Sequence, residues 1–576
     1  MSLDQGFLIE DFEVRPGDNV VSGPSGDIRI EPKSMNVLMA LAEADGETVS
    51  RLELVESVWP SRFVSEDVLT RCVAQIRKAF GDKSRSSEFV ITIHKRGYKL
   101  GKPVRPLGVG NRDGFADTPG VLVLPFQNLS ASSEDSFIAD GLTELITASL
   151  ASHGNFRVIS RTTAMTFKDA NQPLPEIARS VKADWVIEGS VMILAGSVQV
   201  IMQLVSAVDD AHVLAETYRG AIEDLLDLHR EIASTAAAGI SKSMGIQAPL
   251  SGKSVGQLPE GALREYLKGR TLQRQRTIGA LRTASDCFSE VLRQADYYAD
   301  AYASLAETRL LLAHYGAEPV MQMRPKIERD LEHALSLDKN NAIALYCRGA
   351  TSLFFDRDFP EADKYLYRTL AVQPSHSMAA LCMANLSAAR RDADGALAWL
   401  GHALAVNPLD TGLNMNLGDH LLLRSGFAEA SDQFRKTLVM DPTHTPSRLR
   451  LAWSVALEEE SDDALAELAR VLDESGRTPA FLEYSAMIYK AAHQDDKALS
   501  AFEDLRQVSR QQFIAPWALA RAAAAAGQKE DAFNFLDAAV EQGSTSLMFF
   551  EITPAFESLR DTPRGRELSR RIFKDA

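Results

Sequence analysis

The residues best suited to chemistry are three long polar side chains on one predicted helix, Arg71, Gln75 and Lys78. They lie three to four residues apart and therefore share a helix face. The other face carries an apolar stripe, made by Leu69, Cys72, Val73, Ile76 and Phe80. Arginine can bind guanine, glutamine adenine and lysine a phosphate, so the polar face is typical of a helix that enters the major groove of DNA. A solvated helix face is the alternative interpretation.

A basic hairpin follows this helix, because residues 89–93 alternate as a strand and residues 94–97 turn into a second one. Residues 62–105 contain eleven Lys or Arg and four Asp or Glu, a net charge of +7, whereas residues 1–61 contain four and twelve, a net charge of −8. The whole chain of 576 residues carries −16. Affinity for nucleic acid must therefore come from a local patch, and the basic helix and hairpin provide one.

Three helices are predicted to position these groups, at about residues 32–45, 51–59 and 65–80. Pro32 suits a first helical turn, and Ser50 with Glu53 forms a capping box. Ser65 is predicted to cap the third helix, and Gly81 follows its end. The first 103 residues therefore predict a compact domain of three helices and flanking strands.

These stretches resemble the OmpR/PhoB-type winged helix, in the version found in CadC-, ToxR- and HilA-like regulators. The resemblance covers residues 7–100 and is carried by RIEPK (29–33), VSRLEL (49–54), VW (58–59), VSEDVLT (64–70), IRKAFGD (76–82) and KRGY (95–98). It implies a recognition helix at 65–80 in the major groove and a wing at 94–98 in the minor groove. It also implies that the loop at 60–64 touches RNA polymerase, as it does in some members.

The candidate DNA contacts are Thr70, Arg71, Gln75, Lys78, Lys95 and Arg96. The sequence departs from the family at one point, because the arginine that many members carry in the wing falls at His94 here. Either Arg96 or Lys95 takes over its minor-groove role, and the sequence leaves this choice open. Tyr98 is expected to pack inside the wing.

The second half of the chain repeats with a period of 34 residues. One column is always alanine, at positions 362, 396, 430, 464, 498 and 532, and four residues after it stands Leu or Phe. Twelve residues before each alanine the side chain is small: Ala350, Ala384, Gly418, Ala452, Ala486 and Ala520. Pro374, Pro408 and Pro442 keep the same period. Because several columns keep one period, residues 261–576 resemble an array of tetratricopeptide repeats, an all-α superhelix of helical hairpins.

Between the two parts, residues 119–247 alternate strands and helices, which predicts an α/β domain. The stretches VLPF (123–126), DGLTELI (140–146), VISR (158–161) and IEGS (187–190) are similar to the TolB amino-terminal or FlgO-like domain, which implies no known chemistry. Linkers are predicted at 104–118 and 248–260. The uncharged stretch 189–208 is long enough to span a bilayer, but its alternation predicts strands, so no membrane contact is expected.

Several chemical motifs are excluded. Gly252-Lys253-Ser254 lacks the earlier glycine of a phosphate-binding loop, since position 247 is glutamine. The four cysteines, at positions 72, 287, 347 and 382, form no CxxC pair, and the histidines form no HExxH. Asp140 and Glu144 share a helix face, as many solvated pairs do. No catalytic residue, metal or cofactor is expected.

The sequence therefore predicts a multidomain, cytoplasmic, one-component transcriptional regulator, with no enzyme activity. Its winged helix would bind promoter DNA as a homo-oligomer, and its array would bind a protein or a small ligand. The alternative is an interaction scaffold whose winged helix contacts protein. An accessory of an enzyme is a further alternative, because similar middle and repeat segments follow cyclase domains elsewhere.

Overall fold

In the computed structural model the chain forms a winged helix, an α/β middle domain and a helical array, as the sequence predicts. The structure describes residues 6–9, 12–23, 26–44, 46–59, 66–82, 87–94, 96–102, 104–106, 115, 118–130, 136–152, 156–168, 172–194, 196–245, 258–315, 317–318, 320–459 and 461–573. The predicted polymerase loop at 60–64, Ser65 and Lys95 lie outside these ranges, as do most residues of the two predicted linkers.

The winged helix contains two antiparallel sheets and three helices. In chain order its elements are β1 (Phe7–Ile9), β2 (Phe12–Arg15), β3 (Val20–Gly23), β4 (Gly26–Arg29), α1 (Pro32–Glu43), β5 (Val49–Ser50), α2 (Arg51–Val58), α3 (Glu66–Ala79), β6 (Val90–Ile93), β7 (Gly97–Leu100) and β8 (Val104–Pro106). One sheet has the order β4-β3-β2-β1-β8, and the wing sheet has the order β5-β7-β6. The predicted capping box is confirmed, since Ser50 Oγ accepts the Glu53 N–H at 3.2 Å and Glu53 Oε2 accepts the Ser50 N–H at 2.8 Å.

A separate hydrophobic core holds this domain together. The stripe predicted on α3 is confirmed, because Leu69, Cys72, Val73, Ile76 and Phe80 are all buried. Three aromatic rings close one end of the core: Phe80 stacks on Phe89 at 5.0 Å between centroids, and Phe12 meets both edge-on. The end of α3 is thus fixed against the start of the wing, which sets the angle between them.

The middle domain is a twisted sheet with helices packed against it. Its elements are β9 (Gly120–Val123), β10 (Gln127–Asn128), α4 (Ser136–Ala151), β11 (Arg157–Val158), α5 (Arg161–Met165), α6 (Leu174–Ser180), β12 (Trp185–Leu194), β13 (Ser197–Ser206), β14 (Ala211–Ala221) and α7 (Leu225–Met244). The sheet order is β11-β9-β12-β13-β14, with β10 paired to β12. Strands β11, β9 and β12 are parallel, whereas β12, β13 and β14 form an antiparallel meander.

The uncharged stretch 189–208 forms most of the β12–β13 hairpin, as its alternation predicts. Val198, Val200, Met202 and Leu204 face the core, and the residues between them lie on the more open face. Among the helices that the structure describes, none combines the length and the apolar character needed to cross a bilayer.

The array consists of antiparallel helix pairs. They are α8 (Glu260–Arg274), α9 (Ile278–Gln294), α10 (Ala299–His314), α11 (Val320–Leu337), α12 (Ala342–Thr351), α13 (Phe359–Val372), α14 (Ser377–Ala389), α15 (Ala393–Val406), α16 (Thr411–Leu423), α17 (Phe427–Met440), α18 (Thr445–Leu457), α19 (Ser461–Ser475), α20 (Pro479–Ala491), α21 (Asp495–Ser509), α22 (Pro516–Ala525) and α23 (Lys529–Glu541). A π-helical turn, Ser352–Asp356, joins α12 to the loop before α13.

The columns of the 34-residue period form the contacts inside and between pairs. All six period alanines are at most 1% exposed, and so are the five alanines of the small-residue column. Gly418, the sixth member of that column, is buried as well. Gly418 shows why small residues are needed, because a Cβ there would lie 2.3 Å from the ring of Phe434. Each of the three prolines stands two residues beyond a helix end, as predicted.

The end of the chain departs from the repeat pattern and folds back across the array. Two short 3-10 helices, Thr545–Phe549 and Pro554–Phe556, precede α24 (Glu557–Arg560) and α25 (Pro563–Phe573). Leu547 joins the hydrophobic cluster of the last repeats, whereas its neighbour Met548 joins the cluster of the repeats between α10 and α16. Glu551 also pairs with Arg391 at 2.7 Å. This terminal segment therefore connects the two halves of the array.

The middle domain and the first repeats share one hydrophobic core. Leu142 and Ile146 on α4 belong to the same buried cluster as Leu263, Leu267 and residues as far as Leu305 in α10. A buried ion pair crosses the same contact, because Glu144 accepts hydrogen bonds from Arg270 at 2.6 and 3.0 Å and also pairs with Arg274.

These arginines determine the charge state of Glu144. Burial alone would raise its pKa, but the guanidinium groups of Arg274, Arg270 and Arg161 lower it to about 2. The carboxylate therefore stays charged and paired at neutral pH.

A second contact joins the middle domain to the loops of the array. The Ser160 N–H donates to the Val406 carbonyl at 2.8 Å, and the Ser160 hydroxyl donates to Asn407 Oδ1 at 2.7 Å. Arg157 donates to the Ala405 carbonyl at 2.7 Å, and Ser375 Oγ accepts the Val158 N–H at 3.0 Å. The predicted boundary at 248–260 therefore separates two parts of the sequence that pack as one body.

We predict that Gly418→Ala lowers the stability of the full chain by about 1–3 kcal/mol, because the added methyl group overlaps the fully buried ring of Phe434. Gly401→Ala is the matched control, since no atom lies within 4 Å of the Cβ that it adds on α15. It should leave stability unchanged or raise it by up to about 1 kcal/mol. Chemical denaturation of both variants measures the difference, and equal midpoints would refute the packing argument.

We also predict that a chain ending at residue 260 does not form a native middle domain. The truncation exposes the apolar surface of α4 and α7 that the first repeats cover. Size-exclusion chromatography should show aggregation, and amide hydrogen exchange should show loss of protection in α4. A monomer that keeps the protection found in the full chain would contradict a shared core.

Candidate nucleic-acid interface

The outer face of α3 presents the predicted polar side chains to solvent. Thr70, Arg71 and Lys78 are exposed, whereas the opposite face of the helix is buried in the domain core. Arg71 and Lys78 lie two turns apart, which is about 10 Å along a helix. This is the spacing over which a helix in a major groove can reach both base edges and the phosphates that flank them.

Gln75 is placed differently from its predicted neighbours, because it is half-buried and bonded inside the domain. Its Oε1 accepts the Ser34 hydroxyl at 2.6 Å and the Glu31 N–H at 3.2 Å. A bidentate contact with adenine uses both the oxygen and the nitrogen of a glutamine side chain. In this arrangement the oxygen links α3 to the start of α1, and Gln75 could read adenine only after releasing those bonds.

Arg77 links α3 to the wing, a role that the sequence did not indicate. Its Nε and Nη2 donate to the Val90 carbonyl at 3.0 and 2.6 Å, and Nη2 also donates to Thr92 Oγ1 at 2.8 Å. The arginine thus fixes strand β6 beside the polar face of α3. The helical period could have predicted the position of Arg77 on α3. Its partner on β6 could not be predicted, because that contact exists only in the folded hairpin.

Asp82 organises the turn between the helix and the wing. Its carboxylate accepts the N–H groups of Glu88, Phe89 and Val90 at 2.8 to 3.1 Å and the Ser87 hydroxyl at 2.7 Å. Partial burial raises the pKa of Asp82, but these hydrogen bonds outweigh it, so the pKa lies below its ordinary value. The charged form therefore holds the wing in place.

The wing is formed by the antiparallel strands β6 and β7. His94 and Arg96 are exposed, and Tyr98 is 3% exposed, which confirms that it packs inside the wing. The guanidinium of Arg51 lies over the ring of Tyr98 at 5.6 Å. Gly97 is required because a Cβ there would lie 1.9 Å from the Val49 carbonyl oxygen on β5. Of the two residues left open for the minor groove, the structure describes Arg96.

Asp140 and Glu144, the two carboxylates that share a helix face, are both engaged in ion pairs. Asp140 pairs with Lys168 at 2.7 Å, and Glu144 pairs with arginines of the first repeat. Within the described ranges, no group of three or more His, Cys, Asp or Glu side chains is arranged to hold a metal ion. The four cysteines are buried free thiols.

Comparison with known proteins assigns the class of the first domain. Residues 25–100 match the family model described as "Transcriptional regulatory protein, C terminal". The chain thus carries an OmpR/PhoB-type DNA-binding domain at its amino-terminal end, followed by a tetratricopeptide-like helical region, and it is homologous to transcriptional regulators.

The particular relatives fit this class. The chain is 22% identical to the transcriptional regulator HilA of Salmonella typhimurium over 465 residues, which cover 80% of this chain and 75% of HilA. It is 33% identical to the transcriptional activator CadC of Escherichia coli over 97 residues, 17% of this chain and 19% of CadC.

Two solved structures are similar to parts of the chain. The DNA-binding domain of Escherichia coli CadC is 31% identical and covers 17% of this chain and 94% of its own, with a TM-score of 0.16. A tetratricopeptide repeat protein from Parabacteroides merdae is 16% identical and covers 43% of this chain and 93% of its own, with a TM-score of 0.33.

We predict that Asp82→Asn loosens the wing at neutral pH but has little effect in acid. Because the folded pKa of Asp82 lies below its ordinary value of 3.8, the carboxylate stabilises the domain above that value. This contribution is lost as the pH falls through the folded pKa. Amide hydrogen exchange of residues 89–93 in the full chain should be faster in the variant at pH 7, and the difference should shrink below about pH 4. A difference that is constant with pH would refute the role of the charge.

Proposed function

We propose that the protein is a one-component regulator that binds promoter DNA in a sequence-specific manner. The observation that carries the proposal is the exposed face of α3, where Arg71 and Lys78 stand clear of the domain core beside a basic wing. The concentration of positive charge in residues 62–105 supports it, because the rest of the chain is strongly acidic. The homologous regulators support DNA as the ligand.

Each candidate contact has a proposed role. Arg71 reads a guanine in the major groove, while Lys78 and Thr70 hold phosphates. Arg96, with Lys95 beside it in the sequence, enters the minor groove, which attracts arginine. Gln75 fixes the orientation of α3 and reads adenine only if DNA displaces the Ser34 hydroxyl.

The main alternative remains a scaffold whose winged helix contacts protein. The charge asymmetry argues for DNA, since a protein-binding surface needs no net charge of +7 over 44 residues. Enzyme activity is not part of the proposal, because HilA, which aligns with 80% of this chain, is named a transcriptional regulator. A regulator of promoters works where the chromosome is, so we place the protein in the cytoplasm.

The proposed function also implies further partners. We propose that two or more copies bind repeated half-sites, and that the loop at 60–64 touches RNA polymerase. The array would receive the signal, from a protein or a small molecule. One contact supports a path from the array to the DNA-binding domain, because strand β8 lies against α13. A second contact fixes the predicted linker, since Phe115 stacks on His402 of α15 with centroids 3.9 Å apart.

We predict that Arg71→Ala in the full chain lowers discrimination at one base pair of the selected DNA motif by about 1–3 kcal/mol. Lys78→Ala should instead weaken binding to all sequences. It should also make the slope of log K against log salt shallower by about 0.9, the value for one lost phosphate contact. Selection from a random DNA pool, followed by titration across a salt series, measures both effects.

Arg435→Ala, an exposed arginine of α17, is the matched control and should change neither quantity. A chain that binds DNA weakly, with no enriched motif and with Arg71→Ala equal to the wild type, would favour the scaffold.

A further inference from the structure

A large cavity lies on the inner side of the array, where the first helices of successive pairs face one another. Its volume is about 1460 Å³, which exceeds the ordinary range of small-molecule sites, about 300–1,000 Å³. One wall is the terminal segment, which contributes Thr545, Ser546 and Phe549. Because this segment connects the two halves of the array, the cavity is narrower than the open groove of a simple superhelix.

The wall of the cavity is divided into two chemically different halves. The half formed by α10 to α14 is mainly apolar and includes Leu310, Ala350, Phe354, Met378 and Leu381. Arg276, His314 and Glu318 also line this part of the cavity. The half formed by α16 to α22 carries ionised side chains of both signs. A molecule that fills both halves must therefore have an apolar body and a polar end.

The charged half is a ladder of four side chains, Asp419, Arg450, Glu483 and Arg521. Arg450 Nε donates to both oxygens of Asp419 at 2.7 and 2.9 Å, and Arg521 Nη1 lies 2.9 Å from Glu483 Oε1. Each arginine is paired with one carboxylate, so the four side chains of the ladder have no net charge. The ladder therefore offers a ligand hydrogen-bonding groups rather than a net charge.

Aromatic rings hold this ladder in place. The guanidinium of Arg521 lies over the rings of Trp453 and Tyr484, at 5.2 and 5.0 Å from their centroids, and the guanidinium of Arg450 lies 5.5 Å from the centroid of Tyr484. The side chain of Arg521 is 13% exposed and lines the cavity, so a ligand can reach it. A guanidinium carries five N–H donors, so one that is paired with a single carboxylate can still bind a polar group of a ligand.

The mouth of the cavity exposes apolar side chains, which are costly to leave in water. Met321 is 81% exposed, Phe513 is 75% exposed and Tyr315 is 40% exposed, and all three line this cavity. Met321 belongs to α11 and Phe513 to the loop before α22, so the mouth is bordered by opposite ends of the array. An apolar ligand that reaches the mouth would cover them.

We propose that this cavity binds a small amphipathic molecule, with its apolar body between α10 and α14 and its polar end at Arg521 and the neighbouring ladder. The proposal rests on the array being the signal-binding module of the proposed function, and it commits to a small molecule rather than a protein. The terminal segment supports that choice, because it occupies one side of the groove in which a partner chain would lie.

The test uses two fluorescent probes and the full chain. N-phenyl-1-naphthylamine is apolar and uncharged, and 8-anilinonaphthalene-1-sulfonate has the same rings with a charged group. Both should bind saturably with one site per chain. Leu381→Trp, which fills the apolar half, should weaken both at least tenfold, and Leu472→Trp on α19, which does not line the cavity, should not.

Phe513→Ser is a second variant, for use if Leu381→Trp does not fold. Phe513 lies at the surface, so its replacement should leave folding unchanged. It should weaken both probes about threefold, whereas Val439→Ser, an equally exposed apolar position away from the cavity, should have no effect. Arg521→Lys keeps the charge beside Glu483 but loses the planar fork. It should weaken the sulfonate probe at least threefold more than the uncharged one.

The proposed site would be overturned if neither probe bound saturably. It would also be overturned if Leu381→Trp bound the probes as tightly as Leu472→Trp, and Phe513→Ser as tightly as Val439→Ser. Equal losses of both probes in Arg521→Lys would overturn the placement of the polar end. DNA selection with the same preparations separates this result from the proposed function. A chain that enriches a DNA motif and binds neither probe remains a regulator, but its array then does not bind a small amphipathic molecule at this cavity.

Discussion

The hydrophobic core that the middle domain shares with the first repeats is the contact on which the rest of the structure depends. A repeat array buries its apolar faces only by stacking, so each end needs a cover. At the amino-terminal end, α4 and α7 of the middle domain provide that cover, and the buried pairs of Glu144 with Arg270 and Arg274 fix the orientation of α4 on α8. At the other end, Leu559, Leu568 and Ile572 of the last two helices are buried against the final repeats.

The winged helix is held together by different means, and this difference matters for its function. Its core is separate from the large one, and its wing depends on a few polar contacts, chiefly those of Arg77 and Asp82. Such contacts fix the angle between helix and wing while leaving Arg71 and Arg96 at the surface. Under the proposed function, a domain whose helix and wing enter two grooves at once needs this rigidity.

Much of this organisation could be predicted from the sequence, because it is encoded in local periods. The 34-residue columns identified the buried alanines, the capping box identified the start of α2, and alternation identified the β12–β13 hairpin. Contacts between distant residues could not be predicted. Nothing local indicates that Gln75 bonds to Ser34, that Arg77 reaches β6, or that a linker at 248–260 joins two parts of one core. The return of the terminal segment across the array was missed for the same reason, since the period ends before it.

That terminal segment also explains why the interior of the array differs from an open groove. Met548 packs with the earlier repeats and Leu547 with the later ones, so opening the array would separate two adjacent buried side chains from different clusters. Phe549 borders the cavity on one side, and Phe354, from the π-helical turn that precedes α13, borders it on another. Helix α13 lies against strand β8 of the winged helix. The wall of the cavity and the DNA-binding domain are therefore joined through α13 by contacts that do not involve the middle domain.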